Sequence, residues 1–201
     1  MPAVRGQGGV WVRIAKGRWR GRRLWTPRGK ETRPVLTRVR SALMDVLAPR
    51  LEGARVLDLF AGSGALVFEA LSRGAAHAVA VDRSAAAIAA IERNAQTLGA
   101  AEQIEPLRRD AFAALGSLEA AGRRFDLVLV PPPYWQGLQP RALEALDRAD
   151  VLAPGALVVV QRDRKEGYVP PVLERLVHTD TRRWGNTVFE FHEPRAGERK
   201  P

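Results

Sequence analysis

Residues 56–66 read Val-Leu-Asp-Leu-Phe-Ala-Gly-Ser-Gly-Ala-Leu: an apolar run enters a glycine turn and continues as a helical pattern. Gly62 and Gly64 allow the backbone to approach a ligand closely, and a helix N-terminus behind them offers unbonded N–H groups. A second apolar run, Ala78 to Val81, ends in Asp82, 24 residues after Asp58. A glycine turn after one strand and a carboxylate after the next is the layout of a nucleoside-binding corner in a doubly wound sheet. A dinucleotide fingerprint would place a third glycine at position 67, where this chain has Val67.

The remaining pattern fits that corner. Strands are expected at 55–59, 77–82, 104–108, 126–130, 156–161, 172–178 and 187–192. Helices are expected at 64–73, 84–98, 111–121 and 140–149, the second capped by Ser84 and ended by Gly99. Alternating strands and helices imply a parallel α/β sheet, Rossmann-like and doubly wound, with seven strands. The last two strands, around the turn Trp184-Gly185-Asn186, predict an antiparallel edge hairpin. Upstream, Val10 to Ala15 and Arg22 to Trp25 flank a turn and predict a basic β-hairpin extension. Its three tryptophans can stack bases or pack the hairpin, and packing is the usual use in small hairpins. After the break at Arg33-Pro34, Thr37 is the expected N-cap of a helix 38–47. Its apolar stripe is Val39, Leu43, Val46 and Leu47, with Arg38 and Arg40 outside it. The expected organisation is a flexible N-terminus (1–9), a basic hairpin and helix (10–50), an α/β domain that carries the glycine corner (51–192) and a flexible tail (193–201).

Charge narrows the partners. The net charge of +10 is concentrated: residues 1–50 hold 13 Lys/Arg and 2 acids, whereas residues 51–201 hold 19 Lys/Arg and 20 acids. A basic segment interleaved with tryptophans on a near-neutral domain points to a polyanion, most often nucleic acid. The candidate contacts are Arg13, Lys16, Arg18, Arg20, Arg22, Arg23, Arg33, Arg38 and Arg40. The absence of cysteine excludes disulfides, cysteine zinc sites and thiolate nucleophiles, hence the cysteine-dependent cytosine-C5 methyltransfer mechanism. The three histidines show no metal-ligand spacing. No long apolar run is present, and a monomeric, cytoplasmic protein without membrane contact is expected.

Four groups fall at the carboxyl ends of the predicted strands. The Phe60–Gly64 turn can hold a ligand through its backbone. Asp82, followed by Arg83, can accept from both hydroxyls of a ribose. Asp110, with Ala111 and Phe112, can accept from an adenine amino group while Phe112 lines the ring; Asp110 can equally be the N-cap of the next helix. The loop Pro131-Pro132-Pro133-Tyr134 is stiff, and its carbonyls lack local N–H partners. They can accept from a substrate amino group, and Tyr134 can stack on an extruded base. A polyproline linker is the alternative for that loop, less favoured because the loop lies opposite the glycine turn.

Asp58-Leu59-Phe60-Ala61-Gly62-Ser63-Gly64 resembles motif I of S-adenosylmethionine-dependent methyltransferases. Over residues 10–192 the chain resembles the 16S ribosomal RNA guanine-N2 methyltransferase family (RsmD type). The resemblance rests on Arg13-Ile14-Ala15-x-Gly17-x-Trp19-Arg20-Gly21-Arg22, Arg33-Pro34 with Arg38-Val39-Arg40, Asp58 to Leu66 and Glu69 to Ala75. It continues through Val81-Asp82, Asn94, Phe125 to Tyr134 and Trp184 to Thr187. It implies S-adenosyl-L-methionine as cofactor, held at Asp58, Gly62, Gly64, Asp82, Asp110 and Ala111. It also implies a target loop at 131–134, basic N-terminal contacts to RNA, and a guanine of small-subunit ribosomal RNA as substrate. Two positions depart from the family: Pro131 replaces the usual acid before Pro-Pro-aromatic, and Thr37 replaces an acidic residue. Loss of one polar partner at such a site is worth about 10²–10³ in rate by analogy with an oxyanion-hole donor. Two other readings stay open on the sequence: a DNA amino-methyltransferase (adenine N6 or cytosine N4), and a nucleic-acid-binding protein whose catalysis was lost through Pro131.

Overall fold

A computed structural model describes residues 9–27 and 37–195. Of the expected flexible N-terminus (1–9), residues 1–8 lie outside the described residues, as do the Arg33-Pro34 break and residues 196–201; Gly9 is instead the first residue of β1, held by its pairing with Pro27. The element order is β1 (Gly9–Arg13), β2 (Arg23–Pro27), α1 (Thr37–Leu47), β3 (Arg55–Asp58), α2 (Ala65–Ser72), β4 (His77–Asp82) and α3 (Ala85–Leu98). It continues with β5 (Ile104–Arg108), α4 (Ala111–Ala120), β6 (Phe125–Val130), α5 (Leu138–Arg148), β7 (Leu152–Asp163), β8 (Leu176–Trp184) and β9 (Thr187–Pro194). β1 and β2 form the basic hairpin; the other seven strands form one sheet, ordered β5-β4-β3-β6-β7-β9-β8. The first five are parallel, and β9 runs antiparallel to both β7 and β8. Strand order reverses between β3 and β6, and ligands of such sheets bind at that point, outside the carboxyl ends.

Strand parity builds two cores. Val56, Ala78, Ala80, Leu127, Leu129 and Val159 point to one face, under α1, α2 and α3. Their neighbours Leu57, Val79, Val81, Val128, Val130 and Val160 point to the other, under α4 and α5. The period of two assigns alternate residues to opposite faces, and both faces are apolar because helices cover both. Ser84 caps α3 through Ala87 N–H (3.3 Å), and Gly99 ends it in the left-handed conformation. None of these helices is long and apolar enough to cross a membrane.

The hairpin joins the first core. Ile14, Trp19 and Leu24 are buried in it. Burial of Ile14 and Leu24 contributes roughly 1.5–3 kcal/mol each, which fixes a two-stranded unit that is marginal alone. Gly17 (φ +84°) makes this docking possible: a Cβ there would meet the Ser72 carbonyl oxygen at 1.8 Å. Ser72 Oγ accepts Trp19 N–H (3.0 Å) and donates to Lys16 O (2.7 Å). Trp19 packs as expected, Trp25 is half-buried, and Trp11 remains exposed near the Arg93 guanidinium.

Three expectations need correction. Thr37 is the first residue of α1 rather than a cap before it. The eighth strand runs Leu176–Trp184 instead of 172–178. Pro170 and Pro171 carry no N–H for a ladder, Val172 is 97% exposed, and the strand is defined by pairing with β9 from Leu176↔Pro194 to Trp184↔Thr187. Glu193 and Pro194 belong to β9, so the expected tail boundary at 193 is too early.

Candidate active site

A cavity of about 790 Å³ opens at the carboxyl ends of the parallel strands. Its wall includes Phe60, Ala61, Gly62, Asp82, Arg83, Asp110, Ala111, Phe112 and all of Pro131 to Tyr134. Segments of four different strand ends therefore converge, as the sequence pattern predicts.

The glycine corner is built by backbone bonds. Leu59 N–H donates to Leu129 O (3.0 Å) and Ala61 N–H to Val81 O (2.9 Å), locking the turn against β6 and β4. Gly64 (φ +79°) starts α2, where a Cβ would meet Phe68 Cε2 at 2.8 Å. The first intrahelical bond is Phe68 N–H to Gly64 O (2.9 Å), so the N–H groups of Ala65, Leu66 and Val67 precede the ladder. Ala65 and Leu66 line the cavity; Gly64 itself does not.

Asp82 has two structural tasks and a free side. Oδ2 accepts Gly62 N–H (2.9 Å) and Oδ1 accepts Ser84 N–H (2.8 Å). Each carboxylate oxygen has a second lone pair, enough for two hydroxyls. Asp110 caps α4: Oδ1 accepts Phe112 N–H (2.9 Å) and Ala113 N–H (3.2 Å). The capping reading thus holds, and the residue also lines the cavity, so the two alternatives are compatible. The Arg141 guanidinium lies 4.7 Å from the Phe112 ring centre.

Asp58 stands elsewhere. It is fully buried behind the turn and outside the cavity wall. Its Oδ1 accepts Phe60 N–H (3.1 Å). Burial pushes its carboxyl up to about 8; the Phe60 N–H opposes this and the charge of Asp82 adds to it.

The loop after β6 is stiff and clipped. Trp135 adopts φ +65° and is 62% exposed. Its N–H donates to Glu166 Oε1, while Glu166 Oε2 accepts from Gln139 Nε2 (2.9 Å) and Asp163 N–H (3.0 Å). One carboxylate thereby ties the loop, the start of α5 and the end of β7 together. Tyr134 Oη accepts from Gln161 Nε2 (2.6 Å), and burial pushes the phenol pKa up.

The basic residues divide. Arg40 is fully buried rather than a surface contact. Its Nε lies 3.5 Å from Glu69 Oε2, and its NH2 group donates to Arg13 O (2.5 Å). The buried positions of α1 are Val39, Arg40, Leu43, Met44 and Leu47, so Arg40 occupies the core stripe and reaches the cavity wall. Burial lowers its pKa and Glu69 opposes the drop. Lys16 pairs with Asp45 at 3.0 Å. Arg13 donates to Gly21 O (3.0 Å), Arg22 to Thr97 O (2.6 Å), and Arg18 to Gln103 while lying 3.9 Å from the Trp19 ring centre. These pairings pin the hairpin. Arg20, Arg23 and Arg38 are exposed, and no side-chain bond among the described residues engages them. Arg33 lies outside the described residues.

Several wall residues carry no local sequence signal. Thr26 and Pro27 bring the hairpin's end into the cavity wall. Thr26 Oγ1 donates to Ser63 Oγ (3.0 Å), and Asn94 Nδ2 donates to Trp25 O (3.0 Å) and Ser63 O (3.1 Å). Gln161 and Arg141 also line it. Gln161 has one faint signal, a lone polar residue closing the run Leu157 to Val160.

Residues 12–193 match the family model described as "Conserved hypothetical protein 95". The chain is 37% identical over 156 residues to the "Ribosomal RNA small subunit methyltransferase D" of Escherichia coli (strain K12), covering 78% of this chain and 77% of that one. It is 33% identical over 185 residues to the "Putative rRNA methyltransferase YlbH" of Bacillus subtilis (strain 168), covering 92% of this chain and all of that one. Among solved structures, the "Putative methyltransferase yhhF from Escherichia coli" superposes with a TM-score of 0.80 at 31% identity, covering 93% of this chain and 99% of that one.

Proposed function

The chain belongs to the RsmD-type methyltransferase family, and on that premise we propose that it transfers a methyl group from S-adenosyl-L-methionine to the N2 amino group of a guanine in small-subunit ribosomal RNA. The observation that carries this reading is the convergence of the glycine corner, Asp82 and the Pro131–Tyr134 loop on one cavity. The residues present fit the cofactor. Asp82 offers its spare lone pairs to the ribose hydroxyls, Asp110 to the adenine amino group, and Phe112 an apolar face to the ring. The N–H groups at the start of α2 face the methionine part. When bound, the cofactor supplies a methyl group already activated on a sulfonium.

The protein's share of the work is placement. An aromatic amine needs no strong base to attack so reactive a methyl; it needs to be held in line. The Pro131–Pro133 backbone and Tyr134 form a rigid part of the cavity wall, stiffened by proline and by the Glu166 clip. An extruded guanine stacks there while its amino hydrogens meet carbonyl acceptors. The hairpin supplies Arg20 and Arg23 to the phosphate backbone, and Arg38 supplements them from α1. The names of the curated relatives support ribosomal RNA as the substrate.

The experiment is methyl transfer from labelled S-adenosylmethionine to undermethylated small subunits, free ribosomal RNA and duplex DNA, with the labelled nucleoside identified after digestion. N2-methylguanine from the subunit is the expected product. Label in DNA alone, or in no substrate despite cofactor binding, refutes the reading.

A further inference from the structure

Position 131, where the family's loop begins with an acid, holds a proline that has no side-chain acceptor. The strand beside it holds an acceptor in compensation. β6 and β7 are in parallel register with Val130 opposite Val160, which sets Gln161 beside Pro131 one step further on. Parity places both on the face of Leu129 and Val159. Neighbouring strands are about 4.8 Å apart, a gap that the three-carbon reach of a glutamine side chain spans.

Gln161 is 6% exposed and lines the cavity. Its Nε2 is committed to Tyr134 Oη at 2.6 Å. Tyr134 in turn faces Thr187, so the phenol can accept from Gln161 and donate onward. This chain fixes the orientation of the amide. Its Oε1 is buried and takes no hydrogen bond among the described residues. A buried carbonyl without a partner is rare and costly, and one in a ligand cavity is best explained by a donor that arrives with the ligand.

Resting on the methyltransferase reading above, we propose that Gln161 Oε1 is the side-chain acceptor for an N–H of the target amino group, taking over from β7 the role that Pro131 cannot perform on β6. Gln161 orients this nitrogen and is no base: an amide oxygen accepts a hydrogen bond and leaves the proton to solvent. Tyr134 then has two functions, stacking on the base and holding the amide.

Two substitutions at this position separate the acceptor from mere packing. Gln161→Leu keeps the volume and removes the oxygen; methyl transfer to undermethylated small subunits is expected to fall about 10²–10³-fold, the loss typical of one preorganised polar partner. Affinity for S-adenosylhomocysteine, measured by calorimetry, is expected to stay within twofold. Gln161→Glu keeps an acceptor and Tyr134 can donate to it, so activity within roughly tenfold of wild type is expected, a rescue that packing alone does not predict. Pro131→Asp added to Gln161→Leu is expected to restore transfer at least tenfold. Wild-type N2-methylguanine formation with an equally active Gln161→Leu overturns this inference and leaves the methyltransferase reading standing. Equal losses in the Leu and Glu variants, or a Gln161→Leu loss matched by lost cofactor affinity, also overturn it. No guanine methylation by the wild-type protein overturns both.

Discussion

Replacing Asp58 with asparagine tests how the glycine corner is held. The carboxyl is fully buried and uses Oδ1 to accept Phe60 N–H. Burial, against that bond and with the Asp82 charge, raises its pKa from 3.8 to about 8. In the unfolded chain the group returns to an ordinary carboxyl value. Between those two values the folded state holds more protons than the unfolded one, so stability falls as pH rises through the window and levels off above pH 8. The slope is at most about 1.4 kcal/mol per pH unit, and the whole span amounts to ~6 kcal/mol. Asp58→Asn keeps the shape and the acceptor for Phe60 and removes the ionisation. Urea unfolding from about pH 5 to pH 8 should show the variant gaining on the wild type with every unit, the difference between them shifting by several kcal/mol in the variant's favour across that range. Cofactor affinity should change little, since Asp58 lies outside the cavity wall. Parallel stability curves would mean that the carboxylate stays ionised, and a large loss of cofactor affinity would mean that it reaches the ligand; either refutes the reasoning.

Glu69→Ala removes the buried acceptor that serves Ala15 and Lys16 N–H (2.9 and 3.1 Å) and strands Arg40; a cost of about 3–5 kcal/mol is expected, read by urea unfolding. Glu166→Ala unclips Trp135, Gln139 and Asp163; methyl transfer is expected to fall about 10–100-fold from misplacement of the loop, with S-adenosylhomocysteine affinity retained by calorimetry. Arg20, Arg23 and Arg38 changed together to Ala should leave the melting temperature unchanged and lower the slope of log affinity against log salt for ribosomal RNA by about 2, at 0.7–0.9 per lost phosphate contact.

What the sequence reveals about this site is what is written locally. A strand that stops at a glycine pair, a carboxylate closing the next strand and a proline run closing the fourth each announce themselves within a few residues, and the sheet brings them together. What it conceals is decided at a distance. Arg40 looks like a surface charge beside Val39, yet its partner Glu69 sits on another helix and turns it inward. β8 carries little apolar alternation because it is an edge strand, half of whose environment is water. Gln161 becomes meaningful only once β6 and β7 are in register and the missing acid at 131 is seen to have a neighbour.

The same logic applies to the basic extension. Charge asymmetry leads one to expect a nucleic-acid grip there, but the structure gives much of that charge to docking: Lys16 to Asp45, Arg22 to the Thr97 carbonyl, Arg13 to the hairpin's own turn. A rigid hairpin is what placement requires. Thr26 touches Ser63 of the glycine corner, and Asn94 holds both Trp25 and Ser63. On the proposed reading, a nucleic acid bound along the hairpin is registered against the backbone that shapes the cavity, through the contacts of Thr26 and Asn94 with Ser63. A freely tethered basic arm would raise the local concentration of substrate as well, yet could not set where a single base enters the cavity. On the proposed reading, Trp19 and the buried polar residues around the hairpin are what would convert electrostatic capture into position.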